Sequence, residues 1–186
     1  MSFDLASSLR RLKPQRLASP LRRRAEQDLS FAPAPATTGP ELLLDTCVYI
    51  DVLQGRAPAE VKDLLSLRIV SHSTVALSEL THLFGRLDPG HPQTQGALRQ
   101  LSTVVDGIPA HRLSGPSVRT SGEAGVVAGL AARLAERPPG IDLLNDALLL
   151  LQAAERGCRL LTRNLADFDL LQQLVPQAQV LFYRAT

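Results

Sequence analysis

Leu42-Leu43-Leu44-Asp45-Thr46-Cys47-Val48-Tyr49-Ile50-Asp51 is the stretch on which the fold turns. Three leucines without polar alternation read as a strand buried on both faces, the pattern of a parallel sheet covered by helices. The carboxylate closing the strand, followed by an apolar helical run, places Asp45 where such sheets gather their active sites. From residue 41 onward, short apolar strands alternate with helical patterns, which predicts a parallel α/β domain. Helical spacing covers Pro58 to Leu67, and Arg68 to Ser71 reads as a second strand. Ser73 or Thr74 can cap a helix running to about Phe84 and ended by Gly85. Another helix covers Gln95 to Val105, and a weaker strand lies near Ile108 to Leu113. A helix follows from Glu123 to about Ala135, where Gly125 and Gly129 suggest close packing. Asp142 is a candidate cap for Leu143 to Arg156, a helix that Gly157 terminates. Arg159 to Thr162 is a strand, Arg163-Asn164 a turn, the region around Leu170 a short helix, and Gln179 to Tyr183 a final strand.

Composition bounds the class. The chain has 186 residues, 45% of them hydrophobic, enough for one domain with a real core. Cys47 and Cys158 both lie in apolar segments, which argues against a disulfide framework or a Cys/His zinc site and fits a reducing, cytoplasmic setting. No apolar stretch approaches the roughly 20 residues of a membrane span, and Leu143 to Ala154 is broken by Asn145, Asp146 and Gln152. Charge is uneven: residues 1–40 hold seven Lys/Arg against three Asp/Glu, the remainder thirteen against fifteen. Prolines 14, 20, 33, 35 and 40 punctuate that segment, so a boundary is expected at about Pro40. Residues 1–40 then form a basic, largely disordered N-terminal extension, and residues 41–186 the folded domain. A competing reading places Phe3, Leu5, Leu9 and Leu12 on one face of a short helix, with Arg10, Arg11 and Lys13 able to touch an anionic polymer or a partner protein. Arg22-Arg23-Arg24 is not a twin-arginine export signal, because Ala25-Glu26-Gln27-Asp28 follows where an apolar run is required; an organellar transit peptide stays open.

Asp45 has three counterparts at similar junctions: Glu79, Asp146 and Asp167. Carboxylates in apolar company cost energy unless a cation offsets them. Three or four of them without a Cys/His cluster define an all-oxygen site suited to Mg²⁺ or Mn²⁺ rather than Zn²⁺. Such a cation polarises a phosphoryl oxygen and acidifies a bound water, so the set points to phosphate chemistry. Taken singly, each acid also has a plainer reading, Asp45 as a turn former and Glu79 as an exposed helical acid. Asp51, Asp142 and Asp169 read as solvated or capping acids. His72, His82, His91 and His111 share no ligand spacing. Arg163 reads equally as a phosphate contact or a solvated turn residue.

Leu44-Asp45-Thr46, Leu77-Ser78-Glu79-Leu80, Asn145-Asp146-Ala147-Leu148 and Leu161-Thr162-Arg163-Asn164-Leu165-Ala166-Asp167-Phe168, in that order, resemble the motifs of the PIN-domain ribonucleases, most closely the VapC toxins of bacterial toxin–antitoxin pairs. The resemblance covers about residues 41–184. It implies a PIN-like three-layer sandwich with about five parallel strands between helices, a Mg²⁺- or Mn²⁺-dependent endoribonuclease, and usually a homodimer held inactive by a small antitoxin. By position it implies Asp45 and Asp146 as direct metal ligands, Glu79 as the completion of the acidic cluster and Asp167 as its fourth member, with Thr46, Thr162 and Asn164 in support. The chain departs from the pattern at Ala76, where a threonine commonly precedes the glutamate by three residues, at Asn164, where some relatives carry the fourth acid, and in its long basic leader. A nearly neutral domain with two Tyr, five Phe and no Trp offers little to hold nucleic acid tightly. Brief cutting of single-stranded or loop RNA is the expected activity, by in-line attack leaving a 5′-phosphate and a 3′-hydroxyl. A phosphatase or DNA nuclease on the same carboxylates, and a non-catalytic binding module, are the alternatives.

Overall fold

The computed structural model describes residues 3–136, 138 and 140–186. After a leader carrying helix α1 (Leu5–Leu12), the chain forms β1 (Leu42–Leu44), α2 (Thr46–Leu53), α3 (Ala59–Leu67), β2 (Val70–Ser73), α4 (Thr74–Arg86) and α5 (Thr94–Asp106). It continues with β3 (Leu113–Ser114), α6 (Val118–Leu134), α7 (Ile141–Arg156), β4 (Arg159–Thr162), α8 (Leu165–Leu174) and β5 (Gln179–Phe182). The five strands make one parallel sheet in the order β3-β2-β1-β4-β5. The α/β class and the five-stranded parallel sheet between helices are therefore as expected. Leu42 and Leu43 are fully buried and pack with Leu160, Leu161, Val180 and Leu181 of the neighbouring strands, which is why this sheet needs helices on both sides.

The strand order reverses at β1. From β1 the chain moves outward through β2 and β3, then returns to β4 on the other side of β1 and continues to β5. Parallel sheets open a crevice at the carboxyl ends of the strands flanking such a reversal, here β1 and β4. Helix ends are tied down locally: at the start of α4 Ser73 accepts from the Val75 amide at 3.1 Å, and Gly157 closes α7 with φ of 69°.

Several boundaries differ from the sequence reading. β2 begins two residues late, because Arg68 is turned away to donate to the Thr37 carbonyl at 2.8 Å. The region near Ile108 to Leu113 is mostly a 3-10 turn leading into the two-residue β3. Gly85 does not end α4, which runs on to Arg86. Gly125 and Gly129 face open space, so neither marks a close approach.

The leader, expected on composition to be largely disordered, follows a defined path over the domain. Asp4 caps α1 by accepting from the Ser7 amide at 2.9 Å. Phe3 lies so close over Gly122 of α6 that a side chain there would collide with its ring. Ser8 donates to Glu123 at 2.9 Å and Arg11 pairs with the same carboxylate. Arg133 holds the carbonyls of Pro14 and Leu17, and the Leu21 amide donates to the Leu134 carbonyl at the far end of α6. Arg24 then clasps Asp169 of α8 through its backbone amide at 2.7 Å and its Nε at 2.5 Å. Phe31 finally bridges Phe182 of β5 in parallel, with the Ala32 and Phe182 amides donating to the carbonyls of Phe182 and Ser30. Composition counts charges and prolines; it does not reveal that two buried domain carboxylates await Arg11 and Arg24.

Candidate active site

Asp45 closes β1 and precedes α2; its carboxylate is 5% exposed. It accepts from Thr162, the last residue of β4, at 2.5 Å and from the Cys47 thiol at 2.8 Å. Burial pushes its pKa up, and the bonds from Cys47 and Thr162 oppose that rise without cancelling it. Thr162 also accepts from the Asn164 amide at 2.9 Å, so one hydroxyl ties the acid after β1 to the turn after β4.

That turn places Asn164 at the head of α8. Its side-chain amide donates to Asp146 at 3.0 Å and to Asp167 at 2.9 Å, while its carbonyl oxygen accepts from the Asp167 amide at 3.2 Å. Asn164 is thus both the cap of α8 and the link between two of the acids. On the opposite wall Glu79, in the second turn of α4, accepts from Asn145 at 2.7 Å and from the Thr46 hydroxyl. The hydroxyl that Ala76 cannot supply to Glu79 therefore comes from Thr46.

Glu79, Asp146, Asp167, Asn145 and Asn164 line one cleft of about 580 Å³, with Ser78, His82 and Arg86 of α4 on its rim. Asp45 does not line it. It acts on the cleft electrostatically: Asp146 is pushed up to about 9, by its own burial first and then by the charges of Asp45, Asp167, Glu79 and Asp142. Three of the four predicted acids thus meet in the cleft, and the fourth sits behind it. Among the described residues, no group of three or more His, Cys, Asp or Glu side chains stands in an arrangement that could hold a metal ion. The donor set is nonetheless all oxygen and amide, and crowded anionic groups around a carboxylate driven toward protonation fit a hard divalent cation.

Behind the cleft lies a network that the sequence reading missed. Asp51 is fully buried rather than solvated, and pairs with Arg163 at 2.7 Å and Arg56 at 2.9 Å while accepting from the Tyr183 hydroxyl at 2.8 Å. Arg163 is accordingly committed to Asp51, and its backbone amide donates to Cys47 at 3.2 Å. Asp169 is likewise buried against Arg24. The only signal in the sequence was the spacing of Asp51 along α2, one turn and a half past Asp45; its partners are too distant in the chain to be inferred.

The architecture is that of the PIN-like α/β class found in VapC structures. Solved structures with this fold include a chain of VapBC2 from Rickettsia felis bound to a promoter DNA fragment, with a TM-score of 0.54 and 16% identity, covering 77% of this chain and 98% of that one. A chain of FitAcB from Neisseria gonorrhoeae matches with a TM-score of 0.54 and 17% identity over 75% of this chain and 96% of its own. A chain of DNA-bound VapBC from Salmonella typhimurium does so with 0.54 and 18% over 76% and 97%. No family model and no curated protein matches the sequence. At these identities the likeness establishes the fold.

Proposed function

We propose that the protein is a Mg²⁺- or Mn²⁺-dependent endoribonuclease and the toxin member of a toxin–antitoxin pair. The observation that carries this reading is the cleft itself, where Asp146, Asp167 and Glu79 gather, the first two joined by Asn164, and where burial and the neighbouring charges raise the pKa of Asp146. Carboxylates brought together in this way repel one another, and a divalent cation relieves that repulsion. The fold shared with VapBC chains and the ordered motifs support the toxin assignment.

In this reading Asp146 holds the cation, Glu79 completes the acidic set, Asp167 and Asn164 share the remaining position, and Asp45, expected from the sequence to be a direct ligand, adds its charge from behind the cleft. A bound cation would supply charge stabilisation at the phosphoryl oxygen and a more acidic water. The chain's own task is to keep the acids in place. Thr162 and Cys47 fix Asp45, Thr46 and Asn145 fix Glu79, and Asn164 spans Asp146 and Asp167. A homodimer, a small antitoxin partner and a cytoplasmic location complete the proposal; no helix among the described residues is long and apolar enough to cross a membrane.

The test is cleavage of end-labelled RNA with Mg²⁺ or Mn²⁺ and with EDTA, beside single-stranded DNA and a small phosphate ester. Metal-dependent RNA fragments ending in 5′-phosphate and 3′-hydroxyl are expected. A 2′,3′-cyclic phosphate product, or preference for the small ester, would overturn the reaction assigned here.

A further inference from the structure

The leader divides its cations into two groups. Arg11 and Arg24 turn inward to Glu123 and Asp169, both buried, and act as anchors. Arg10, Lys13, Arg16, Arg22 and Arg23 are all exposed and make no ion pair among the described residues. Docking the leader therefore gathers five unpaired positive charges on an outer path of the molecule, where a free chain would disperse them.

That path runs over α1, α6 and α8. It starts on α1, where Arg10, Lys13 and Arg16 border a shallow depression with Leu9 and Pro14. It crosses the end of α6 at Leu134 and reaches α8, where Gln173 donates to the Arg22 carbonyl at 3.0 Å. The same helix carries Asp167 into the cleft. Gln173 lies six residues further along α8, about 9 Å at 1.5 Å per residue.

We infer that the docked leader is an exosite for single-stranded RNA, holding phosphates of the strand outside the bond being cut; this rests on the nuclease reading of the cleft. The domain itself is slightly acidic and its cleft is lined by carboxylates, so a polyanion needs a cationic hold nearby. An anionic membrane fits less well. The exposed apolar residues Leu5, Leu9 and Leu17 end with the first part of the path, whereas the cations continue to Arg22 and Arg23 beside α8.

The test uses the full chain with Asp146→Asn, which binds without cutting, and a fluorescent single-stranded RNA of about 20 nucleotides. Affinity is measured between roughly 50 and 200 mM salt with and without Arg10, Lys13, Arg16, Arg22 and Arg23 all changed to Gln. We expect affinity at low salt to fall at least about tenfold, and the slope of log K against log salt to shrink by up to about 3.5, near 0.7 per lost phosphate contact. Variants changed only on α1 and its following turn, or only at Arg22 and Arg23, should each lose part of both. Unchanged affinity and slope would overturn the exosite. So would a loss confined to binding of phosphatidylserine vesicles. The nuclease reading is scored separately: with Asp146 restored, a trinucleotide too short to reach the leader should be cut equally with and without the five changes. Absence of any RNA cleavage refutes that reading whatever the binding result.

Discussion

Asp146 concentrates the chemistry of the cleft in one side chain. Its folded pKa of about 9 lies above the ordinary carboxylate value of 3.8, so the native state holds this proton more tightly than the unfolded chain does. On this group's account stability is greatest below about pH 4 and declines as pH rises toward 9, by at most about 1.4 kcal/mol per pH unit. In EDTA the melting temperature should therefore fall between pH 5 and about 8, and Asp146→Asn should flatten that fall. Mg²⁺ should raise the melting temperature more at pH 8 than at pH 5; equal shifts would detach the cation from this carboxylate. Asp146→Asn should also reduce cleavage at least about a hundredfold while leaving circular dichroism unchanged. Asp51 is the second residue of consequence. Its removal as Asp51→Ala leaves the Tyr183 hydroxyl buried without its acceptor and releases Arg163 beside Asn164. Chemical denaturation should show a loss of about 2–3 kcal/mol.

Helices and strands set by local pattern were legible: β1, β4 and α7 lie close to where their apolar runs and Gly157 put them. Of the cleft acids Asp167 lies in the first turn of its helix, whereas Glu79 and Asp146 lie in the second turns of α4 and α7 and stood out only through the ordered motifs around them. What escaped was whatever depends on a distant partner. Asp51 and Asp169 look like surface acids until Arg163, Tyr183 and Arg24 are brought to them across more than a hundred residues. Arg68 belongs to the leader's contacts rather than to β2 for the same reason. The docking of α1 and the segment around Arg24 follows from those partners. Arg24→Ala, which leaves Asp169 buried and unpaired, should cost about 2–4 kcal/mol in denaturant titrations. The adjacent Arg23→Ala should lie within about 0.5 kcal/mol of the parent, because that side chain is exposed.

Seen as a whole, the molecule pairs a near-neutral α/β domain with a leader that crosses α6 and α8, touches β5 at Phe31 and then reaches Arg68 through Thr37. Residues 30–32 run beside Phe182 and join it through one isolated parallel bridge. The leader therefore covers the Phe182 end of β5, part of the row of backbone donors and acceptors by which sheet edges recruit one another into aggregates. The other end of the sheet terminates in β3, only two residues long and too short to template a neighbour. A chain beginning at residue 40 should keep the β1–β4 junction that holds Asp45 but expose the flank of β5. Light scattering should find it self-associating with rising concentration where the full chain does not. In that light residues 30–32 of the leader act as a guard on solubility, independent of any part its arginines play with nucleic acid.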